Sequence, residues 1–167
     1  MIDTKTRVNL TKERQDKLAA FDFAKLPLKD AIAIKQGTGA RKLVVFVDPN
    51  CGYCKRFEKD LANLKNVTVY TFLYPILGQD SQVKSRDIWC SKDPVKTWRD
   101  WMLSGVVPAS TKAPGCDASA LERNTELGRK HRVQGTPAAV FEDGSRAPGA
   151  VPGEELERRL SAVSGKG

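Results

Sequence analysis

Residues 43–64 read LVVFVDPNCGYCKRFEKDLANL. The first five, Leu43 to Val47, are all apolar, and so short and unbroken a run predicts a strand covered on both faces. Asp48-Pro49-Asn50 interrupts it. From Cys51 onward the apolar spacing changes. Phe57, Leu61 and Leu64 stand at i, i+4 and i+7, which predicts a helix over 51–64 with one face to the core. A second strand-like run spans Val67 to Leu73. Strand, helix and strand in so short a stretch make a βαβ crossover, which implies parallel pairing and a right-handed connection.

Upstream, Ala31–Ile34 predicts a short strand and Gln36-Gly37-Thr38-Gly39 a turn. Downstream, Ser81–Cys90 and Pro94–Leu103 predict two helices of one long helical region. It contains Trp89, Trp98 and Trp101, three aromatics expected to pack in the core. Residues 104–117, rich in Gly, Pro, Ser and Thr, predict a loop, and Ala118–His131 a further helix. Ala138–Phe141 predicts a strand, Asp143-Gly144 a hairpin turn and the residues near Arg146 a short partner strand. Glu154–Val163 predicts a closing amphipathic helix. At the N-terminus, residues 1–10 read as extended, Thr11 as an N-cap and Lys12–Phe23 as a helix that Pro27 brings to an end.

The chain has 167 residues, 40% hydrophobic and 29% charged, which suits one globular domain with a short appendage. No apolar run approaches the roughly 20 residues that cross a bilayer. The opening MIDTKTRVNL lacks the apolar stretch of a signal peptide. The formal net charge is +8, and residues 1–42 hold 10 Lys and Arg against 5 Asp and Glu. Those cations are scattered, with Glu13 and Asp16 among them and no interleaved aromatics. This is a solvated face, not a nucleic-acid surface.

The chemistry sits at Cys51-Gly52-Tyr53-Cys54. Two cysteines three positions apart at a helix start hold unequal places. The first sulfur lies beside the unpaired N–H groups and the positive end of the helix dipole, where a thiolate is favoured. The second lies one turn further in and is expected to be more buried. Cys51 can then attack a disulfide, and Cys54 can displace it. A zinc site is the rival reading, but no second C-x-x-C or His pair supplies the remaining ligands, so no metal or cofactor is called for. A purely structural Cys51–Cys54 bridge is disfavoured because so small a loop constrains the unfolded chain little. Thr136-Pro137, just before a late strand, is the second element. A cis bond there would leave the Thr136 backbone open to an extended substrate chain. His131, the only histidine, reads as an exposed residue at a helix C-terminus, where a cation is favoured.

These features together resemble the DsbC/DsbG family of periplasmic disulfide isomerases. The matching stretches are Val44–Phe57 (VVFVDPNCGYCKRF), Ile88–Asp93 (IWCSKD), Gly115–Asp117 (GCD) and Gly135–Val140 (GTPAAV). The resemblance implies an α/β, thioredoxin-like fold with a helical insertion over 31–167. Residues 1–30 would be a remnant strand and linker helix of an N-terminal dimerisation domain. It implies that Cys51 attacks and Cys54 resolves, that Gly52, Tyr53, Thr136 and Pro137 meet the substrate, and that Cys90 and Cys116 form a structural disulfide. Val45 stands where the thioredoxins proper carry a buried acid, so Cys54 is expected to be deprotonated through water instead of by a local acid relay. The implied activity is isomerisation or reduction of non-native disulfides in misfolded exported proteins. The implied partner is a membrane-bound thiol reductant of the DsbD type, in the periplasm and with any signal peptide already removed. A full-length protein would be a homodimer and this chain a monomer. Other readings are a dithiol oxidase, a DsbG-like reductase, or a thioredoxin-fold binding module or holdase with incidental cysteines.

Overall fold

The computed structural model describes residues 22–111 and 116–164. The extended segment expected over residues 1–10 and almost all of the helix expected over Lys12–Phe23 lie outside those residues. Among the described residues a five-stranded sheet runs in the order β1-β3-β2-β4-β5. Its strands are β1 (Ile32–Gln36), β2 (Arg41–Val47), β3 (Val67–Leu73), β4 (Ala138–Phe141) and β5 (Arg146–Pro148). The described helices are α1 (Gly52–Ala62), α2 (Gln79–Trp89), α3 (Pro94–Ser104), α4 (Ser119–Lys130) and α5 (Gly153–Ser164). The fold is therefore mixed α/β, as the residues imply.

β2 and β3 pair in parallel from Arg41 opposite Val67 to Val47 opposite Leu73, the crossover expected from the βαβ pattern. β1 adds antiparallel to β3, and β4 antiparallel to β2. The sheet is covered on both faces, because successive strand residues point to opposite sides. Leu43, Val45 and Val47 join one core with Phe57 and Leu61 of α1, Trp98 and Met102 of α3, and Leu156 and Leu160 of α5. Val44 and Phe46 join the other with Phe72, Tyr74, Val133 and Val140. Phe46 stacks on Phe72 with ring centres 5.2 Å apart.

That second core also takes in the segment leading to the first strand. Phe23–Lys25 and Leu28–Asp30 are single 3-10 turns. Leu26 is buried there, with Phe23 and Leu28 packed against it. Asp30 is buried too and meets the Arg123 guanidinium of α4 in two bonds of 2.8 Å. Residues 23–30 thus pack as part of the domain.

The boundaries shift slightly from those expected. β2 begins two residues early, at Arg41, and α1 stops at Ala62, with Asn63 as its C-cap. α3 starts on Pro94, whose missing N–H costs nothing at that position, with the Asp93 carboxylate accepting from Lys96 N–H at 3.1 Å. It ends on Gly105, whose left-handed φ of 69° favours glycine.

Candidate active site

Cys51 is the N-cap of α1, with extended backbone at φ −84° and ψ 117°. Its Sγ accepts the backbone N–H of Cys54 at 3.1 Å, taking one of the donors that a helix start leaves unpaired. Cys51 is 6% exposed and Cys54 is sealed. Burial pushes the Cys54 thiol well up, and its hydrogen bond to Cys51 pushes the same way. The Asp48 backbone and the Thr136 side chain act against both. The two sulfurs therefore differ as their places in the helix suggest: one at the mouth, one held protonated beneath it.

The late loop meets this pair. The Thr136–Pro137 peptide is cis. The Cys51 thiol donates to the Thr136 carbonyl at 3.5 Å. Thr136 is half-buried and Pro137 buried, whereas Gly52 and Tyr53 are exposed at the first turn of α1, Tyr53 to 67%. All six residues singled out around the C-x-x-C are thus in one place. Cys90 and Cys116 are joined elsewhere by a disulfide with Cα atoms 5.8 Å apart. It ties the C-terminal end of α2 to the approach to α4.

Four further residues hold the site, none of them assigned to it by the sequence pattern. Asp48 is fully buried. Its Oδ1 accepts from Asn50 N–H at 2.8 Å and from the Ser81 hydroxyl at 2.7 Å, and its Oδ2 accepts from Leu77 N–H at 2.9 Å. One carboxylate thus ties the loop before Cys51 to the start of α2. Asn50 strengthens that tie through Nδ2 bonds to Asp80 at 2.8 Å and Ser81 at 3.0 Å. Trp101 Nε1 donates to the Pro49 carbonyl at 2.6 Å. The ammonium groups of Lys55 and Lys84 lie 4.2 and 5.1 Å from the centre of the same ring. Tyr74 links the two loops of the site. Its N–H donates to Val47 O at 2.8 Å, and its hydroxyl donates to Val133 O at 2.9 Å.

All three tryptophans pack in or against one core, though not equally. Trp98 is fully buried, whereas Trp89 and Trp101 are partly buried against it, and Trp101 also meets the active-site loop. One expectation changes here. His131 is half-buried, not exposed. Burial lowers its pKa, and the nearby Lys130 and Arg146 charges push the same way.

Residues 28–164 match the thioredoxin-like domain family. The probable thiol:disulfide interchange protein DsbC of Bordetella parapertussis is 50% identical over 160 residues, covering 96% of this chain and 56% of that protein. The thiol:disulfide interchange protein DsbC of Escherichia coli is 34% identical over 137 residues, 79% of this chain and 56% of that protein. The chain therefore spans little more than half the length of these relatives. Among solved structures, a disulfide interchange protein from Neisseria gonorrhoeae superposes with a TM-score of 0.73 at 36% identity, over 81% of this chain and 98% of that one. ScsC of Proteus mirabilis, at 23% identity and a TM-score of 0.71 over 97% of this chain and 87% of that one, shares the fold. With Cys51 capping α1 and a match that takes in the whole sheet, the chain belongs to the thioredoxin-like domain family and, within it, to the disulfide interchange proteins.

Proposed function

We propose that the protein is a thiol–disulfide oxidoreductase that isomerises or reduces non-native disulfides in exported proteins. One observation carries this reading. Cys51 Sγ takes a backbone N–H at the mouth of α1, while Cys54 sits sealed one turn below with its thiol held protonated. An N–H aimed at a sulfur supplies the partial positive charge that a developing thiolate uses. The Cys51 thiolate attacks a substrate disulfide and forms a mixed disulfide, releasing one substrate thiolate. Attack by a second substrate thiol then returns Cys51 and leaves a rearranged disulfide. Attack by Cys54 instead releases the substrate reduced and leaves Cys51–Cys54 oxidised.

The surroundings suit an extended polypeptide. Exposed Gly52 and Tyr53 border the sulfur on one side, and Thr136 and Pro137 border it on the other. Cys90–Cys116 serves as a structural bridge. By likeness to the DsbC proteins, the working compartment is the periplasm, and a membrane-bound reductant of the DsbD type resets the pair. The full-length form is then a homodimer. No helix among the described residues is long and apolar enough to cross a membrane.

Substituting each cysteine tests the reading. Cys51→Ser abolishes both insulin reduction and refolding of scrambled ribonuclease. Cys54→Ser loses net reduction and accumulates mixed disulfides. If Cys51→Ser keeps either activity, the sulfur is not the nucleophile. If the intact protein has neither activity yet suppresses client aggregation, the binding-module reading replaces this one.

A further inference from the structure

Glu58 has no part in the scheme above, yet it is 2% exposed on α1. Its Oε2 is buried without a hydrogen-bond partner, as are the neighbouring Trp98 Nε1 and Arg99 Nε. Burial pushes the carboxyl up to about 7, with Trp98 and the Arg99 charge only partly offsetting it. A carboxyl in such a place exchanges its proton near neutrality.

Its place on the helix gives that proton a destination. Glu58 follows Cys54 by four residues, so the two share one face with Cβ atoms about 5–6 Å apart. Side chains on a helix lean toward its N-terminus, the direction in which Cys54 lies from Glu58. Cys54 needs an acceptor, because its buried thiol is held protonated. Asp48, the other buried carboxylate beside the pair, has both oxygens engaged by three donors. The other groups placed against Glu58 are Arg99 and Trp98 of α3, with Gln36 of β1 accepting from the Arg99 guanidinium beyond them.

We propose that Glu58 accepts the Cys54 proton in the resolving step. This rests on the resolving role of Cys54 given above. The Cys54 S–H transfers its proton to the Glu58 carboxylate, directly or through a hydrogen-bonded water. The Cys54 thiolate attacks Cys51 Sγ of the mixed disulfide. The Cys51–substrate S–S bond breaks and the Cys51–Cys54 bond forms. The substrate leaves as a thiolate, so two electrons pass from the cysteine pair to the substrate. Glu58 then returns its proton to solvent or to the leaving sulfur.

Ellman's reagent separates the steps on the reduced protein, since the first nitrothiobenzoate released reports Cys51 and the second reports Cys54. Wild type gives two phases, and the second quickens with pH and levels off above about 7. Glu58→Gln leaves the first phase unchanged and slows the second at neutral pH by on the order of a hundredfold, the low end for a positioned base. Its second phase then climbs with hydroxide and shows no plateau. Glu58→Asp recovers part of the rate. A second phase with the same rate and pH profile in Glu58→Gln overturns the proposal. Should Glu58→Gln not fold, a wild-type second phase with no inflection near neutrality overturns it equally. A wild type that releases only one equivalent, or none, fails the oxidoreductase reading itself.

Discussion

At the level of single residues, the burial of Glu58 has a thermodynamic signature separate from its chemistry. Its carboxyl is pushed from 4.5 to about 7 in the fold, so between those values the folded state binds more protons than the unfolded state. Stability therefore falls as pH rises through that window. The group alone contributes a loss of about 3 kcal/mol by neutral pH. Glu58→Gln removes this dependence. Its stability relative to wild type, measured by urea unfolding at several pH values, rises between pH 4.5 and 7 and is flat above. Glu58 was visible in the sequence only as a polar residue on a helix. Its burial depends on Trp98 and Arg99 arriving from α3, and no local pattern records that. Asp48 was hidden for a similar reason. Beside Pro49 it reads as a residue that stops a strand, and its real work is with Leu77 and Ser81, some thirty residues on. The cysteine pair was legible because helix geometry alone sets its asymmetry.

Among the secondary-structure elements, α2 is anchored at both ends. Its N-terminal turn is bound to the Cys51 loop through Asp48 and Asn50. Its C-terminal end is held by Cys90–Cys116, whose partners are 26 residues apart in sequence. Asp87 steadies the intervening segment by accepting from the Thr111 N–H and hydroxyl at 3.1 and 3.2 Å. Removing the bridge with the double Ser variant of Cys90 and Cys116 releases the unfolded chain and costs roughly 3 kcal/mol. Equilibrium urea unfolding measures that loss. Insulin reduction at a temperature where the variant stays folded remains near wild type, because the bridge lies at the far end of α2 from Asp80 and Ser81. The elements themselves were largely legible, since β2 and β3 are continuous apolar runs and α1 keeps its spacing. The ends were less so. Arg41 joins β2 through pairing with Val67, a contact that hydrophobicity does not announce.

Over the whole molecule, the sheet's two faces carry separate cores, and the N-terminal approach closes one of them. The Asp30–Arg123 pair fastens that approach to α4. Its bond to Arg123 holds the Asp30 carboxyl below the usual range, so the stability it contributes is present above pH 3.8 and is lost as pH falls through the lower folded value. Asp30→Asn is less stable than wild type at neutral pH, and thermal melts of the two converge in acid. The parallel crossover and the α/β class could be read from residues 43–73. The docking of 23–30 could not, because Pro27 and scattered charge look like the end of a linker until Leu26 and Asp30 are seen against the core. Tyr74 spans the molecule in another sense. It grips the ends of both loops that converge on Cys51, and a Cβ on Gly128 of α4 would stand only 2.4 Å from its ring. The two positions are thus bound to a common evolutionary fate. Any larger residue at 128 obliges that ring to move or be replaced.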